Sequence, residues 1–251
     1  MIEVSGLTKS FGALRVLSDI SFRVDRDEFV TIFGPSGCGK TTILRILAAL
    51  ETPDAGRVLV DGVDGLARLD DYKKKISIVW QDPRLLPWRT TLGNVAFSLE
   101  MRNPDLPRPD VLGRACQALE LVGLRPFAST LPRQLSGGMR QRVNLARALA
   151  LDAEIMLMDE PLASLNEITD KRQLIGAIAS MWELKRKTVI YVTHSVSEAV
   201  SLSDRIVVFS DKPTRILGEL RVPVARPRDL TSKEVVDICN QIRQLLGGLI
   251  A

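Results

Sequence analysis

The sequence predicts an α/β protein in which a mostly parallel sheet is covered by helices. Short apolar runs alternate with helical patterns along much of the 251 residues, which is typical of such sheets. A glycine-rich segment, Gly34 to Thr41, joins one predicted strand to the helix that follows it. A block of helical sequence near residues 85–135 interrupts the alternation, so we expect an inserted helical subdomain.

Each element is predicted from the spacing of its apolar residues. The run Glu28 to Phe33 indicates a strand that ends at Gly34, and residues 42–50 have helical spacing. Further strands are expected at residues 57–60, 76–79, 155–158 and directly before His194, with helices at 92–124, after Gly138 and at 167–187. Three prolines, Pro104, Pro107 and Pro109, break the first of these helices into pieces.

The predicted elements form a core, an insertion and a tail within a single overall domain. The core comprises residues 1–84 and 136–220, and the helical subdomain comprises residues 85–135. The tail, residues 221–251, contains an amphipathic helix expected at 233–250, which packs on the core.

Composition excludes several classes of protein. A hydrophobic content of 45% and a charged content of 25% are ordinary for a globular protein. The net charge of +4 comes from Lys and Arg spread along the chain, so we expect a solvated surface and no nucleic-acid partner. Three scattered cysteines, Cys38, Cys116 and Cys239, favour neither a disulfide framework nor a metal site, and they fit a reducing compartment.

The apolar stretches are too short for a membrane protein. None approaches the roughly 20 residues that cross a bilayer. The N-terminal residues, MIEVSG, lack a basic segment followed by an apolar one, so no secretory leader is expected. Any role at a membrane is therefore expected to depend on a partner.

The glycine-rich segment, GPSGCGKT, has the G-x-x-x-x-G-K-[ST] spacing of a phosphate-binding loop. Glycines let backbone N–H groups surround an anion, and the N-terminus of the next helix favours the same anion. In such a loop Lys40 reaches the β- and γ-phosphates and the Thr41 hydroxyl binds Mg²⁺. The alternative is a glycine-rich turn without a ligand, which the flanking strand and helix make less favourable. Cys38 is expected to be buried against the loop.

An acidic pair follows the apolar strand in the segment IMLMDEP. Asp159 could hold Mg²⁺ through water, and Glu160, one residue further, could orient or deprotonate an attacking water molecule. The alternative is a helix-start signal, because acids and Pro161 suit a helix N-terminus. A phosphate loop elsewhere in the chain favours the metal site.

A second anion site is predicted at LSGGM, residues 135–139, where Ser136, Gly137 and Gly138 precede a long amphipathic helix. A plain serine N-cap is the alternative. Adjacent glycines destabilise a helix start unless something approaches the backbone closely. Two such sites far apart in sequence suggest a head-to-tail dimer, in which each subunit contributes this segment to the nucleotide of the other.

The only histidine, His194, follows the apolar strand TVIYVT. Alone, a histidine at a strand end is more often a solvated bystander than a chemical group. Its position beside the other motifs favours a functional role.

Together these motifs resemble those of the ATP-binding subunits of ABC (ATP-binding cassette) transporters. The resemblance covers nearly the whole chain and rests on five elements in order: Walker A (Gly34 to Thr41), the glutamine-loop residue Gln81, the signature (Leu135 to Met139), Walker B (Ile155 to Glu160) and the switch histidine His194. It implies a P-loop NTPase (RecA-like) core with an antiparallel β subdomain and the inserted helical subdomain. It also implies ATP hydrolysis with Mg²⁺ in a homodimer that encloses two ATP molecules.

The resemblance assigns roles to individual residues. Phe11 would stack on adenine beside Val16, and His194 would hydrogen-bond the γ-phosphate. The implied ATP contacts are Phe11, Val16, Gly34, Pro35, Ser36, Gly37, Cys38, Gly39, Lys40, Thr41 and Thr42 in one subunit and Ser136, Gly137, Gly138 and Met139 in the other. The implied metal ligands are Thr41, Gln81 and Asp159, and the implied catalytic residues are Lys40, Gln81, Glu160 and His194.

The segment QDPRLLPWRTTLGNV, residues 81–95, is similar to that of importers for nitrate, sulfonate or taurine, whose relatives transport bicarbonate or vitamin precursors. The resemblance implies a membrane permease whose coupling helix meets Gln81 to Trp88, and indirectly a periplasmic or lipid-anchored substrate-binding protein. It places the chain peripherally on the cytoplasmic face of the inner membrane. Leu85, Leu86 and Trp88 would contact the permease or, alternatively, pack inside the helical subdomain.

Two positions depart from the family pattern: Asn166 replaces the usual Asp after Walker B, and Met139 replaces Gln in the signature. A soluble ABC ATPase of DNA repair or translation is the main competing hypothesis, but its coiled-coil insertion or second cassette is missing. A non-catalytic nucleotide-binding module would lack Glu160 or His194, and an exporter cassette is often fused to its membrane span.

Overall fold

The computed structural model describes residues 1–64, 69–163, 165 and 168–247. The chain divides into two compact units, which are Met1–Lys73 with Arg186–Ala251, and Lys74–Lys185. The boundaries predicted for the helical subdomain and the tail stay predictions. Among the described residues, no helix is both long enough and apolar enough to span a membrane.

The described residues form ten strands and eight α-helices. The strands are β1 (Ile2–Phe11), β2 (Leu14–Val24), β3 (Phe29–Phe33), β4 (Ala55–Val60), β5 (Val63–Asp64), β6 (Ile76–Val79), β7 (Ile155–Asp159), β8 (Thr188–Thr193), β9 (Arg205–Phe209) and β10 (Ile216–Arg221). The helices are α1 (Lys40–Leu47), α2 (Leu69–Lys75), α3 (Thr91–Arg102), α4 (Arg108–Leu121), α5 (Gly137–Ala150), α6 (Ile168–Lys185), α7 (Val196–Leu202) and α8 (Lys233–Gly247).

The first unit contains both antiparallel and parallel strand pairs. An antiparallel sheet in the order β2-β1-β4-β5 confirms the antiparallel subdomain. Strand β3 pairs in parallel with β8 on one side and with β9 on the other, and β10 adds an antiparallel edge. Every residue of β3 and β8 is buried, as expected for central strands covered on both faces. The predicted mostly parallel α/β architecture is therefore confirmed.

The tail helix packs on this unit through one apolar face. Val235, Ile238 and Ile242 recur at helical spacing and join a buried cluster with Phe33 and Val208. The predicted amphipathic helix is thus present as α8, and the last residues predicted for it, 248–250, lie outside the described part of the chain.

The second unit contains the helices predicted for the insertion. Helix α3 ends at Arg102 and α4 begins at Arg108, so the break lies where the prolines are. Strands β6 and β7 pair in parallel, with Val79 opposite Met158, and both precede polar segments. The carboxyl ends of parallel strands meet at one sheet edge.

A mostly buried ion-pair cluster links β9 to β10 and to the residue before β3. The Arg205 guanidinium donates to both carboxylate oxygens of Glu28, at 2.8 and 2.9 Å, and to Glu219 at 2.6 Å. Both Arg205 and Glu28 are mostly buried, with 13% and 17% of their side chains exposed. The hydrogen bond that Arg205 donates to Glu28 is the main cause that raises the pKa of Arg205, so the guanidinium keeps its charge.

We expect Glu28→Ala to lower the free energy of unfolding by about 2–4 kcal/mol, because it leaves the Arg205 charge without its bidentate partner. The matched control is Arg23→Ala, which removes the ion pair between Arg23 and Asp25. The Arg23 side chain is 61% exposed and the Asp25 side chain is 65% exposed. That variant should lose less than about 1 kcal/mol. Urea unfolding followed by circular dichroism measures both, and equal losses would contradict this ranking.

Candidate active site

The phosphate loop, Gly34 to Thr41, lies between β3 and α1, as predicted. Gly37 and Gly39 have φ angles of 80° and 111°, in the left-handed region that glycine tolerates. Gly39 is also the N-cap of α1 and supplies no side-chain cap. A helix N-terminus capped without a side chain fits a phosphate group, which accepts hydrogen bonds from backbone N–H groups.

Lys40 is folded beneath this loop. Its side chain is buried, and its ammonium donates to the carbonyl oxygens of Gly34 at 2.9 Å and Pro35 at 2.7 Å. The positive charge is thereby held within the loop that is expected to surround an anion. Cys38 is buried, as predicted, with its Sγ 3.0 Å from the position of a Cβ built on Gly34.

Thr214, which the sequence analysis did not single out, connects the loop to strand β2. Its buried hydroxyl donates to the Cys38 carbonyl, and its backbone N–H donates to the Val16 carbonyl at 2.9 Å. Val16 is itself buried, with its Cγ1 2.8 Å from a Cβ built on Gly39. Val16 therefore packs on the phosphate loop.

Phe11 lies at the end of β1 with 48% of its side chain exposed. The Nζ of Lys9 lies 5.2 Å from the centroid of its ring. Hydrogen bonding to Glu51 is the main cause that raises the pKa of Lys9. An exposed aromatic ring can stack on a planar base, as the sequence analysis expects of Phe11.

His194 lies at the same sheet edge as the phosphate loop. Phe33, the last residue of β3, is in register with Thr193, the last residue of β8. Gly34 and His194 follow these two residues directly, and His194 is exposed. The first unit thus brings together the predicted phosphate loop and the predicted switch histidine.

Asp159, Glu160 and Gln81 all lie in the second unit, after neighbouring parallel strands. Asp159 ends the fully buried strand β7, and Gln81 follows the neighbouring strand β6. Asp159 is 4% exposed, whereas Gln81 is exposed. Glu160 has a φ angle of 41°, an uncommon conformation for a residue with a side chain. Strained backbone of this kind clusters at functional sites.

Three side chains of α5 hold the segment 80–84, which we call the glutamine loop. The Trp80 carbonyl accepts from Gln141 at 3.0 Å and from Asn144 at 2.8 Å. Arg147 donates to the carbonyls of Pro83 and Arg84, both at 3.1 Å, and burial lowers its pKa. The one signal of these contacts in the sequence is that Gln141 and Asn144 interrupt the apolar face of the helix.

The two signature glycines have different surroundings. A Cβ on Gly138 would lie 2.5 Å from the Asp170 Oδ2 atom, so this glycine admits a carboxylate of its own chain. Gly137 is exposed, and of the described residues a Cβ built on it would meet Arg140 alone, at 3.9 Å. Ser136 caps α5 by accepting from the Met139 N–H at 3.1 Å, so the capping function is present too. The space beside Gly137 is open to an external ligand.

The apolar side chains predicted to contact the permease, or alternatively to pack inside the helical subdomain, are not fully buried. Trp88 is 74% exposed, and Leu85 and Leu86 have intermediate exposure. Trp88 does not pack inside the helical subdomain of its own chain. Asn166 lies outside the described residues, and Thr41 and Thr42 lie in the first turn of α1.

Comparisons with known proteins agree with this geometry. Residues 17–163 match the family model described as ABC transporter. An uncharacterised ABC transporter ATP-binding protein of Methanocaldococcus jannaschii is 43% identical over 98% of this chain and 91% of its own length. An aliphatic sulfonates import ATP-binding protein of Pseudomonas putida is 41% identical over 89% of this chain and 77% of its own length.

Solved structures show the same fold. A dimeric structure of a bacterial ABC transporter cassette superposes with a TM-score of 0.80 at 31% identity, over 90% of this chain and 100% of that one. A dimeric post-hydrolysis state of an ATP-binding cassette with ADP and phosphate gives a TM-score of 0.79 at 30% identity.

The chain belongs to the ABC transporter family. Within that family it is an ATP-hydrolysing, ATP-binding subunit, since it contains the phosphate loop, the acidic strand end and the signature helix in one cassette fold.

Proposed function

We propose that this chain energises an ABC importer for a small anion of the sulfonate, nitrate or taurine class. The observation that supports the transporter class most directly is identity of 36–41% to sulfonate import subunits over most of the chain. Bicarbonate and vitamin precursors are the other solutes of this group. The competing hypothesis, a soluble ABC ATPase of DNA repair or translation, is not favoured by these relatives.

ATP is the substrate, and the first unit supplies its phosphate site. Backbone N–H groups of the loop and of α1 hold the β- and γ-phosphates, and Lys40 neutralises their charge. Ser36 and Cys38 take part through their backbone N–H groups, and Pro35, which has no N–H, holds Lys40 through its carbonyl. Phe11 stacks on adenine. His194 donates to the γ-phosphate. Phosphoryl transfer of this kind depends on positioning and charge stabilisation.

Mg²⁺ is proposed as the cofactor, with Thr41, Gln81 and Asp159 as its ligands. The described residues contain no cluster of three or more His, Cys, Asp or Glu side chains that could hold a metal. A single buried carboxylate such as Asp159 suits Mg²⁺, which binds through one or two carboxylates together with substrate phosphates. The bound ion would neutralise charge on the phosphates. Glu160 orients or deprotonates the attacking water.

Two copies of the chain are proposed to enclose two ATP molecules. Each copy presents Ser136, Gly137, Gly138 and Met139 to the nucleotide of its partner. The open space beside Gly137 and the dimeric state of the similar bacterial cassette support this arrangement. ATP-driven closure of the dimer would move the permease, and hydrolysis would reopen it.

The proposed partner is a membrane permease whose coupling helix contacts Gln81 to Trp88. The exposed indole of Trp88 supports this surface, because tryptophan is enriched at protein–protein interfaces relative to the rest of the surface. A periplasmic or lipid-anchored binding protein would deliver the solute. The chain would lie peripherally on the cytoplasmic face of the inner membrane.

Reconstitution tests the proposal. The purified chain, its permease and its binding protein are placed in liposomes loaded with ATP and Mg²⁺, and uptake of labelled taurine, nitrate and bicarbonate is compared. ATP-dependent uptake of one of these solutes is expected. Hydrolysis that is indifferent to permease and binding protein but stimulated by DNA or ribosomes would favour the competing hypothesis.

Gly39→Ala is expected to weaken ATP binding about tenfold or more. The new Cβ would lie 2.8 Å from Val16 Cγ1 at a φ of 111°, so the loop must shift. Titration with a fluorescent ATP analogue measures the affinity. The matched control is Gly123→Ala, which also has a positive φ, 71°, but would meet no described atom within 4 Å and is not a proposed ATP contact. Equal losses in both variants would argue against the loop as the phosphate site.

A further inference from the structure

The residues on both sides of His194 are joined by a closed ring of hydrogen bonds. The Thr193 hydroxyl donates to Glu198 Oε2 at 2.7 Å and accepts from the Ser195 N–H at 3.0 Å. The Ser195 hydroxyl accepts from the Glu198 N–H at 3.4 Å, as the N-cap of α7. The ring therefore closes through three residues, and His194 lies directly between two of them, Thr193 and Ser195.

A buried anchor holds this ring to the sheet. Glu198 is 7% exposed, and its Oε2 also accepts from the hydroxyl of Tyr191 at 2.8 Å. Tyr191 is fully buried in the middle of β8. Because a hydroxyl has one proton, donation to Glu198 leaves the Thr193 oxygen to accept from Ser195. The carboxylate thus fixes which way the Thr193 hydrogen bonds run.

We infer that Thr193 and Glu198 are positioning residues for His194. By fixing the Thr193 side chain on one side of His194 and the Ser195 N–H on the other, they restrict the backbone from which the exposed imidazole projects. The inference rests on the proposed role of His194 in ATP hydrolysis. It adds that this role requires a pre-set backbone, since misplacing a catalytic group by about 1 Å can cost on the order of a hundredfold in rate.

The main test is Thr193→Val, which keeps the branched shape and removes the hydroxyl. We expect kcat for ATP hydrolysis to fall about 10- to 100-fold, with KM for ATP changed less than about twofold. Thr193→Ser restores the hydroxyl and should recover most of the rate. The control is Ser197→Ala, which removes an exposed hydroxyl that contacts only the Ser195 hydroxyl among the described contacts and should leave kcat unchanged.

A double variant separates positioning from general stability. In a His194→Ala background, Thr193→Val should cause no further loss of kcat, because the group that it positions is already gone. A further loss as large as that in the unmodified chain would overturn the inference. If Thr193→Val does not fold, Glu198→Gln replaces it, since the amide keeps the shape and disturbs the acceptor for both hydroxyls. Full activity in Glu198→Gln would also overturn it.

The outcomes distinguish this inference from the proposed function. If His194→Ala retains normal turnover, the role of His194 itself is wrong. If His194→Ala abolishes turnover while Thr193→Val retains full kcat, only the positioning role fails.

Discussion

Glu160→Gln is expected to bind ATP with nearly unchanged affinity and to lower kcat by about 10²- to 10⁴-fold, the range for loss of a general base. The amide keeps the size of the carboxylate but cannot accept a proton from water. The left-handed backbone of Glu160, directly after the buried strand β7, supports a functional role, because such a conformation costs about 1–3 kcal/mol and persists only where its surroundings enforce it.

The same variant should accumulate as a closed dimer in ATP, since closure depends on nucleotide and reopening depends on hydrolysis. Size-exclusion chromatography with light scattering measures the mass with and without ATP, and phosphate release measures kcat. The matched control is Glu154→Gln, at the exposed position directly before β7, where Glu154 lies 3.9 Å from Lys75. A Glu160→Gln chain that stays monomeric at saturating ATP and turns over normally would refute the mechanism.

His194→Ala is expected to reduce turnover about 10²- to 10³-fold while ATP binding is largely kept. This is the usual loss in kcat when an enzyme loses one hydrogen-bond donor to the charge that develops in the transition state. The side chain follows β8 at the edge where the phosphate loop follows β3, so it is placed to contact a γ-phosphate held by that loop. Single-turnover phosphate release at saturating ATP isolates the chemical step from binding. A normal single-turnover rate would return His194 to the role of a solvated bystander.

Local patterns predicted most of the elements correctly. The strand predicted at 28–33 is β3, and the strands predicted at 76–79 and 155–158 are β6 and β7. Buried strands are continuous apolar runs, and the glycine spacing of the phosphate loop reflects local backbone conformation. These features depend on neighbours in sequence and can therefore be predicted from sequence.

Contacts between distant segments could not be predicted in this way. Asp170 approaches Gly138 from another helix, and Thr214 reaches the carbonyl of Cys38 from a loop 176 residues later. Contacts of this kind leave no periodic signal, because they depend on how the elements pack. The exposure of Trp88 belongs to the same class, since one aromatic residue in a loop fits either a core or a surface.

The hydrogen bonds from Gln141, Asn144 and Arg147 to the glutamine loop have a mechanical consequence. Trp80 and Gln141 are 61 residues apart in sequence, yet the Gln141 side chain donates a hydrogen bond directly to the Trp80 carbonyl. Because these hydrogen bonds tie residues 80–84 to α5, we expect a displacement of that segment to move α5 as well, and Ser136 caps the N-terminus of the same helix. We therefore expect two segments to move together, because both are attached to α5. One is the segment that we expect to contact the permease, and the other is the segment that we expect to contact the partner's nucleotide.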